Sequence, residues 1–413
     1  MVGSRDKDIL RDLGGQVAEI AARPVHAEVK ELWSKLNGLQ MVRPMVMIDQ
    51  ICWHELNGNG DLTLLCEDKD CRRFENELRT TLYRWKHFPV DMVVEPYIAV
   101  PKAVTNAGFG LGRKAQVAVS DPDNPVVGHK FENQFETDAD LEKIKEPRVG
   151  HDAADTERRS GKAHEVFDGI LDVKESGFNP YLSLWDPIAA WMSVEGALYA
   201  LVDRPDFIHK LCERMTAGYL SMIQQLEEQG LLCQPQAWIH CAGAYTDELP
   251  ADGYDPDHPR TRDIWTFGLA QMFSTVSPAM FKEFEVDYVS RICERFGLVY
   301  YGCCDPLDGK MAQVRMIPNV RKVSMSPWVD QERGAREIGK DYVFSRKPSP
   351  ALLATDEFKP DAVRGETMDT MEACSKYGCA VEFILKDIST IRYEPDRLAR
   401  WADVVMDVVT KCG

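Results

Sequence analysis

Leu298-Val-Tyr-Tyr-Gly-Cys-Cys-Asp-Pro-Leu307 is the stretch whose reading decides the fold. A β-branched and aromatic run ends at Tyr301, and Gly302, two adjacent thiols and Asp305 follow before Pro306 stops any continuation. This is the pattern of a buried strand that runs straight into a cluster of soft and hard metal ligands. In a β/α barrel, catalytic groups sit where a strand gives way to the loop after it. The competing reading makes both cysteines small buried hydrophobes without chemistry. The rest of the chain has to decide between the two.

Moving outward, residues 277–296 form an amphipathic helical pattern, with Ser277 as cap and Pro278 at the first helical position. Downstream, residues 321–327, 342–348 and 380–387 are short apolar runs that each end in polar residues, and 395–409 is a last helix. Upstream, 180–187 is extended, 188–201 and 205–229 are helical, and 236–240 is a strand followed by Tyr245-Thr-Asp-Glu-Leu-Pro250. Closer to the start lie strands at 44–49 and 91–96, a helix at 74–85, and two helices within 10–36 broken near Pro24. Residues 101–165 differ in texture. Gly108, Gly110, Gly112, the Asp121-Pro-Asp-Asn-Pro125 turn and a charged run through Arg159 suggest an inserted hairpin and a long surface connection. Gly108-Phe-Gly-Leu-Gly112 lacks the following Lys-Ser/Thr and a helix start, so it is not read as a phosphate loop. Alternating short strands and helices imply parallel β/α units, and about eight of them imply an α/β, (β/α)8 TIM-type barrel. The expected organisation is one barrel domain over 1–413, with a helical extension at 1–40 and an insertion at about 101–165.

Composition narrows the function classes. The 413 residues include 44% hydrophobic and 28% charged positions, ordinary for a globular protein with a large core. A formal net charge of −17 argues against a nucleic-acid partner, since nothing basic is concentrated enough to displace counterions. No run approaches the length of a membrane span, and the N-terminus lacks a signal-peptide apolar core. Twelve cysteines without a regular framework are read as thiols in a reducing cytoplasm.

Four segments together resemble the uroporphyrinogen decarboxylase-like superfamily. They are Ala197-Leu-Tyr-Ala-Leu-Val-Asp-Arg-Pro-Asp206, residues 299–306, Lys347-Pro-Ser-Pro-Ala-Leu352 and residues 382–398. The likeness spans about 165–410, and Arg43-Pro44 extends it loosely to the first strand. The superfamily holds the decarboxylase itself and zinc-dependent methyltransferases that exchange methyl groups with corrinoid proteins. The decarboxylase's N-terminal arginine-rich motif has no match here, and an acidic chain is a poor host for a porphyrinogen with many carboxylates. The methyltransferase branch places His-x-Cys at the end of the strand equivalent to 299–304. Here that register gives Tyr301-Gly302-Cys303, so the histidine is replaced, and Cys379 lies at the start of the last strand rather than its loop end.

The resemblance therefore implies a zinc-dependent methyltransferase between a small methyl donor (a methyl ether, as in O-demethylation, or a methylamine) and a cobalamin or corrinoid carried by a partner protein. Its expected metal ligands are Cys303, Cys304, Asp305 and His240. Zinc with an open position would polarise a heteroatom or create a thiolate. Glu95, Asp247, Glu248, Lys347 and Asp387, each near a strand end or the loop after it, are the candidate catalytic groups. Trp185 and Trp328 are candidate walls of an apolar pocket. Two other readings stay open: a metal-free decarboxylase or lyase using Lys347 and Asp387, and a non-catalytic ligand-binding barrel. Barrels of this kind often pair, so a homodimer is expected.

Overall fold

The computed structural model describes residues 1–119 and 127–411, so the turn read at 121–125 lies outside the described residues. Six parallel strands form its centre: β1 (Met45–Ile48), β2 (Trp265–Gly268), β3 (Leu298–Tyr301), β4 (Val320–Met325), β5 (Val343–Arg346) and β6 (Ala380–Leu385). They lie in the order β1-β6-β5-β4-β3-β2, and every neighbouring pair is parallel. Parallel neighbours require crossovers, and helices supply them. Pro360–Tyr377, for example, returns the chain from β5 to β6, and Asp396–Lys411 follows β6.

Alternation along the strands sorts the side chains onto two faces. Val299, Tyr301, Val323, Met325, Phe344, Val381, Phe383 and Leu385 share one core with the surrounding helices. Met45, Met47, Trp265, Phe267, Leu298, Tyr300 and Ile384 share a second, on the other face of the curled sheet. Polar residues in the inner register are buried there too: Lys322, Ser324, Ser345, Lys347, Glu382 and Lys386.

The expected eight-strand barrel is only partly drawn. Tyr97–Pro101 and Asp172–Ser176 pair in parallel as a separate two-stranded piece. Beyond β2, Tyr181 makes an isolated parallel bridge to Phe267. A continuous eight-strand ladder is not present among the described residues. The run 91–96, expected as a strand, is none. The Asp91 carboxylate instead accepts the Val46 N–H (2.7 Å) and two Arg43 guanidinium N–H groups (2.5 and 2.9 Å), holding the chain beside β1 until Pro96 is passed. The expected 236–240 strand shrinks to a two-residue hairpin, Trp238–Ile239 against Ala242–Gly243, because His240 and Cys241 both turn at positive φ (40° and 68°). In contrast β2, unforeseen in the sequence, is a full member of the sheet. The expected hairpin in the insertion is Ala115–Ala118 paired antiparallel with Gly128–Phe131. Among the described residues no helix is long and apolar enough to cross a membrane.

Two features of the sheet are costly to disturb. Lys322 and Glu382 are both fully buried and joined at 2.7 Å. Gly302 ends β3 at φ 91°, where a Cβ would stand 2.4 Å from the Leu307 side chain and 3.3 Å from that of Ser324. Removing one partner of a buried pair strands the other charge. Lys322→Met should therefore cost on the order of 3–5 kcal/mol in urea unfolding, with much of the loss recovered in Lys322→Met/Glu382→Leu. Gly302→Ala should cost about 1–3 kcal/mol, because an L residue is strained at that φ and Leu307 is buried and must move. Wild-type stability in either variant would contradict these roles.

Candidate active site

The site grows from the C-terminal ends of β3, β5 and β6. At the end of β3, Gly302 N–H still donates to the Gly268 carbonyl (2.8 Å), and then the chain turns out of the sheet. Cys303 is pinned from both sides: its N–H donates to Asp305 Oδ1 (3.1 Å) and its carbonyl accepts from Ser324 Oγ (2.7 Å). At the end of β6, Lys386 continues the inward register of Glu382 and Ile384. Its Nζ lies 3.2 Å from Cys303 Sγ, 2.8 Å from Asp387 Oδ2 and 3.4 Å from Gln50 Oε1. Asp387 is at φ 56°, a turn that swings its carboxylate back to within 3.6 Å of Cys304 Sγ. The two sulfurs are 3.5 Å apart.

These contacts decide which sulfur carries charge. The Cys304 thiol hydrogen-bonds Cys303 and the Lys386 ammonium adds its field, so the Cys303 pKa falls below that of an ordinary thiol even though burial opposes this. Cys304, as the donor of that hydrogen bond and itself partly buried, is pushed up. Burial draws Lys386 down, but the Cys303 sulfur and the Asp387 carboxylate outweigh it and raise its pKa above the usual lysine range. Cys303 is thus the sulfur that ionises first, beside the Lys386 ammonium and only 7% exposed.

Beside it runs a buried polar chain. Lys347 Nζ touches Tyr300 Oη and donates to Ser345 Oγ (2.8 Å), and the Tyr300 hydroxyl meets the same Ser345. Ser345 Oγ donates to Glu382 Oε1 (2.5 Å), whose other oxygen takes Lys322. Burial pulls the Lys347 amine down to about 8 and pushes the Tyr300 phenol well up. His240 stacks on Phe267 at 3.6 Å between centroids, its Nε2 buried with no hydrogen-bond partner. Burial, reinforced by Lys347 and Lys386, lowers its pKa well below the usual value, so it stands as the neutral imidazole. Asp387 also borders an apolar cavity of about 420 Å³ whose walls include Ile51, Cys52, Trp53 and Ile388.

Of the residues expected from sequence, Cys303, Cys304 and Asp387 meet here, with Asp305 under Cys303 and with Lys347 and His240 both against Tyr300 beside them. Glu95, Asp247 and Glu248 are placed elsewhere. Asp305 is fully buried beneath Cys303, bound to its N–H, and its second oxygen has no partner. Glu95 pairs with Lys30 (2.8 Å) and accepts from Tyr245 Oη (2.7 Å), tying the helix Val25–Asn37 to the 245 loop. Glu248 forms a two-point pair with Arg321, the second residue of β4, at the opposite end of the strands from the thiols. Asp247 is exposed beside it. Trp185 is buried in the core and Trp328 is 75% exposed, so neither walls this cavity. Lys386, Tyr300, Ser345, Glu382 and Lys322 were not foreseen. Their signal was charge and hydroxyls at alternate positions within apolar strands.

Among the described residues no three His, Cys, Asp or Glu side chains are grouped so as to hold a metal ion. Of the four expected zinc ligands the two thiols come together, while His240 is stacked on Phe267, Asp305 is turned under the loop, and the cation beside Cys303 is the Lys386 ammonium.

No family model and no curated protein matches the chain. Among solved structures, its fold is similar to that of a methyltransferase from Methanosarcina mazei. The two share 11% sequence identity over 91% of this chain and 97% of that one, with a TM-score of 0.52.

Proposed function

We propose that the protein is a methyltransferase whose nucleophile is the Cys303 thiolate, working between a small methyl donor and a corrinoid protein. The observation that carries this reading is the Lys386 ammonium 3.2 Å from a nearly buried Cys303 sulfur at the strand ends. The fold likeness to a methyltransferase supports the choice of transferred group. Among the described residues no side-chain cluster fits a zinc site.

A thiolate is a soft nucleophile suited to a methyl carbon. The Cys303 lone pair forms the S–C bond while the electrons of the donor's C–X bond leave with X. Lys347, an ammonium at pH values below about 8, would protonate the leaving oxygen or nitrogen. When bound through its carrier protein, a corrinoid would supply the methyl acceptor. The chain's own part is to present the S-methyl group at the strand ends and to stabilise the departing Cys303 thiolate with Lys386. A second reading, a metal-free decarboxylase or lyase, is favoured by one observation only: the buried, low-pKa amine of Lys347 next to Tyr300.

Incubation with reduced cobalamin and a panel of methyl ethers and methylamines should give methylcobalamin, read by its absorbance. Cys303→Ser should abolish it, and without cobalamin the donor should leave a methyl group on the Cys303 peptide by mass spectrometry. Release of carbon dioxide from a small acid, independent of cobalamin, would select the second reading. Stoichiometric zinc that is lost in Cys303→Ala and Cys304→Ala would sink the ion-pair assignment.

The pH profile should be bell-shaped. The rate rises as Cys303 ionises and falls as pH passes about 8, where Lys347 loses the proton it donates. Lys347→Met should lower the rate by roughly 10²–10⁴-fold and remove the alkaline limb. An unchanged limb would exclude Lys347 as the acid.

A further inference from the structure

Adjacent residues on a flat strand point to opposite faces, so neighbouring cysteines do not ordinarily bring their sulfurs together. Here they do. Gly302, at φ 91°, turns the chain out of β3, and Cys303 Sγ and Cys304 Sγ lie 3.5 Å apart. Each sulfur also faces the opposite kind of group. The Lys386 ammonium is 3.2 Å from Cys303, and the Asp387 carboxylate is 3.6 Å from Cys304. The first arrangement holds an attacking thiolate, and the second offers a base for the proton of a resolving thiol. Exposure is divided as well: Cys303 is 7% exposed, whereas Cys304 is partly open to solvent.

We propose that Cys303 and Cys304 form a vicinal dithiol that a hydroperoxide converts into a Cys303–Cys304 disulfide, reversibly capping the nucleophile. This rests on the same Cys303 as the methyl-transfer reading but not on that reaction. In the first step the Cys303 sulfur attacks one peroxide oxygen. The S–O bond forms, the O–O bond breaks, and hydroxide or alkoxide leaves, so sulfur is oxidised to the sulfenic acid and the peroxide is reduced. In the second step Asp387 takes the Cys304 proton and the Cys304 sulfur attacks the Cys303 sulfur. The S–S bond forms, and the sulfenic oxygen leaves as water with that proton. The slight exposure of Cys303 restricts the first step to a small oxidant. Reduction runs the other way: an external thiolate attacks the more open Cys304 sulfur, and the Cys303 thiolate leaves toward Lys386, which stabilises it.

The test uses the whole reduced protein and hydrogen peroxide near stoichiometry, followed by peptide mapping without reductant. The peptide carrying residues 303 and 304 should be lighter by two hydrogens, refuse iodoacetamide, and recover both thiols with dithiothreitol. Cys304→Ser should stop at the sulfenic acid, trapped on Cys303 by dimedone. Asp387→Asn should lengthen the sulfenic lifetime several-fold. Two outcomes overturn the proposal: irreversible dioxidation of Cys303 without the disulfide, or an unreactive pair while other cysteine peptides oxidise. The wild-type map decides even where a variant fails to fold. Because the readout needs no methyl donor, disulfide formation without methyl transfer would count against the methyltransferase reading alone.

Discussion

A lysine and a glutamate with no solvent exposure meet inside the sheet at 2.7 Å, and much of the molecule's polar interior hangs from that contact. Glu382 cannot be buried alone, since an unpaired carboxylate in that setting would neutralise or leave. With Lys322 on one oxygen and Ser345 on the other, it anchors a chain through Tyr300 to Lys347. That chain fixes the inner ends of β3, β4, β5 and β6 against one another in a region where apolar packing alone would leave side chains interchangeable. A pair of this kind adds little net stability, because desolvation offsets most of the attraction. Its larger effect is positional: one register satisfies every group, and a slip by one residue would leave all of them unpaired.

The thiol site is the upper storey of the same construction. Two residues beyond Ser345 along β5 comes Lys347, and four beyond Glu382 along β6 comes Lys386, both still facing inward. One lysine faces a phenol and a hydroxyl, the other a sulfur and a carboxylate. Their burial has opposite consequences. Without an anionic partner in contact, Lys347 loses basicity, while Lys386 beside Cys303 and Asp387 gains it. Two identical side chains are thus set to different tasks by their neighbours. The cation beside Cys303 is the lysine at the end of β6.

The parts of the fold legible from the chain are those with strong local periodicity. The helices near the N-terminus, the strands at 45–48, 298–301, 320–325, 343–346 and 380–385, and the last helix all follow from apolar spacing and from Pro and Gly punctuation. Local pattern misleads where another interaction overrides it. Asp91 reads as the start of a strand, but its carboxylate is engaged by Arg43 and the Val46 amide. Trp265-Thr-Phe-Gly268 is made of strand-favouring Trp, Thr and Phe but is only four residues long, and it forms β2 unforeseen. Glu248 resembles a site carboxylate by topology, yet pairs with Arg321 at the other end of the strands.

By itself the sequence determined an α/β chain with parallel strands, a Cys-Cys-Asp at the end of one of them, and polar residues at the ends of the others. These depend on side-chain type, period and chain-breaking residues, all of which are local. Only the tertiary structure decided which of those polar residues share a site. Lys386 and Cys303 are 83 residues apart, as are Cys304 and Asp387, and neither pair follows from spacing along the chain. They meet because β3 and β6, with β4 and β5 between them, belong to one curled sheet whose register carries the inward residues of both to the same end. The lowered pKa of Cys303 is likewise a tertiary fact, since it follows from the Cys304 thiol and the Lys386 ammonium folded against its sulfur.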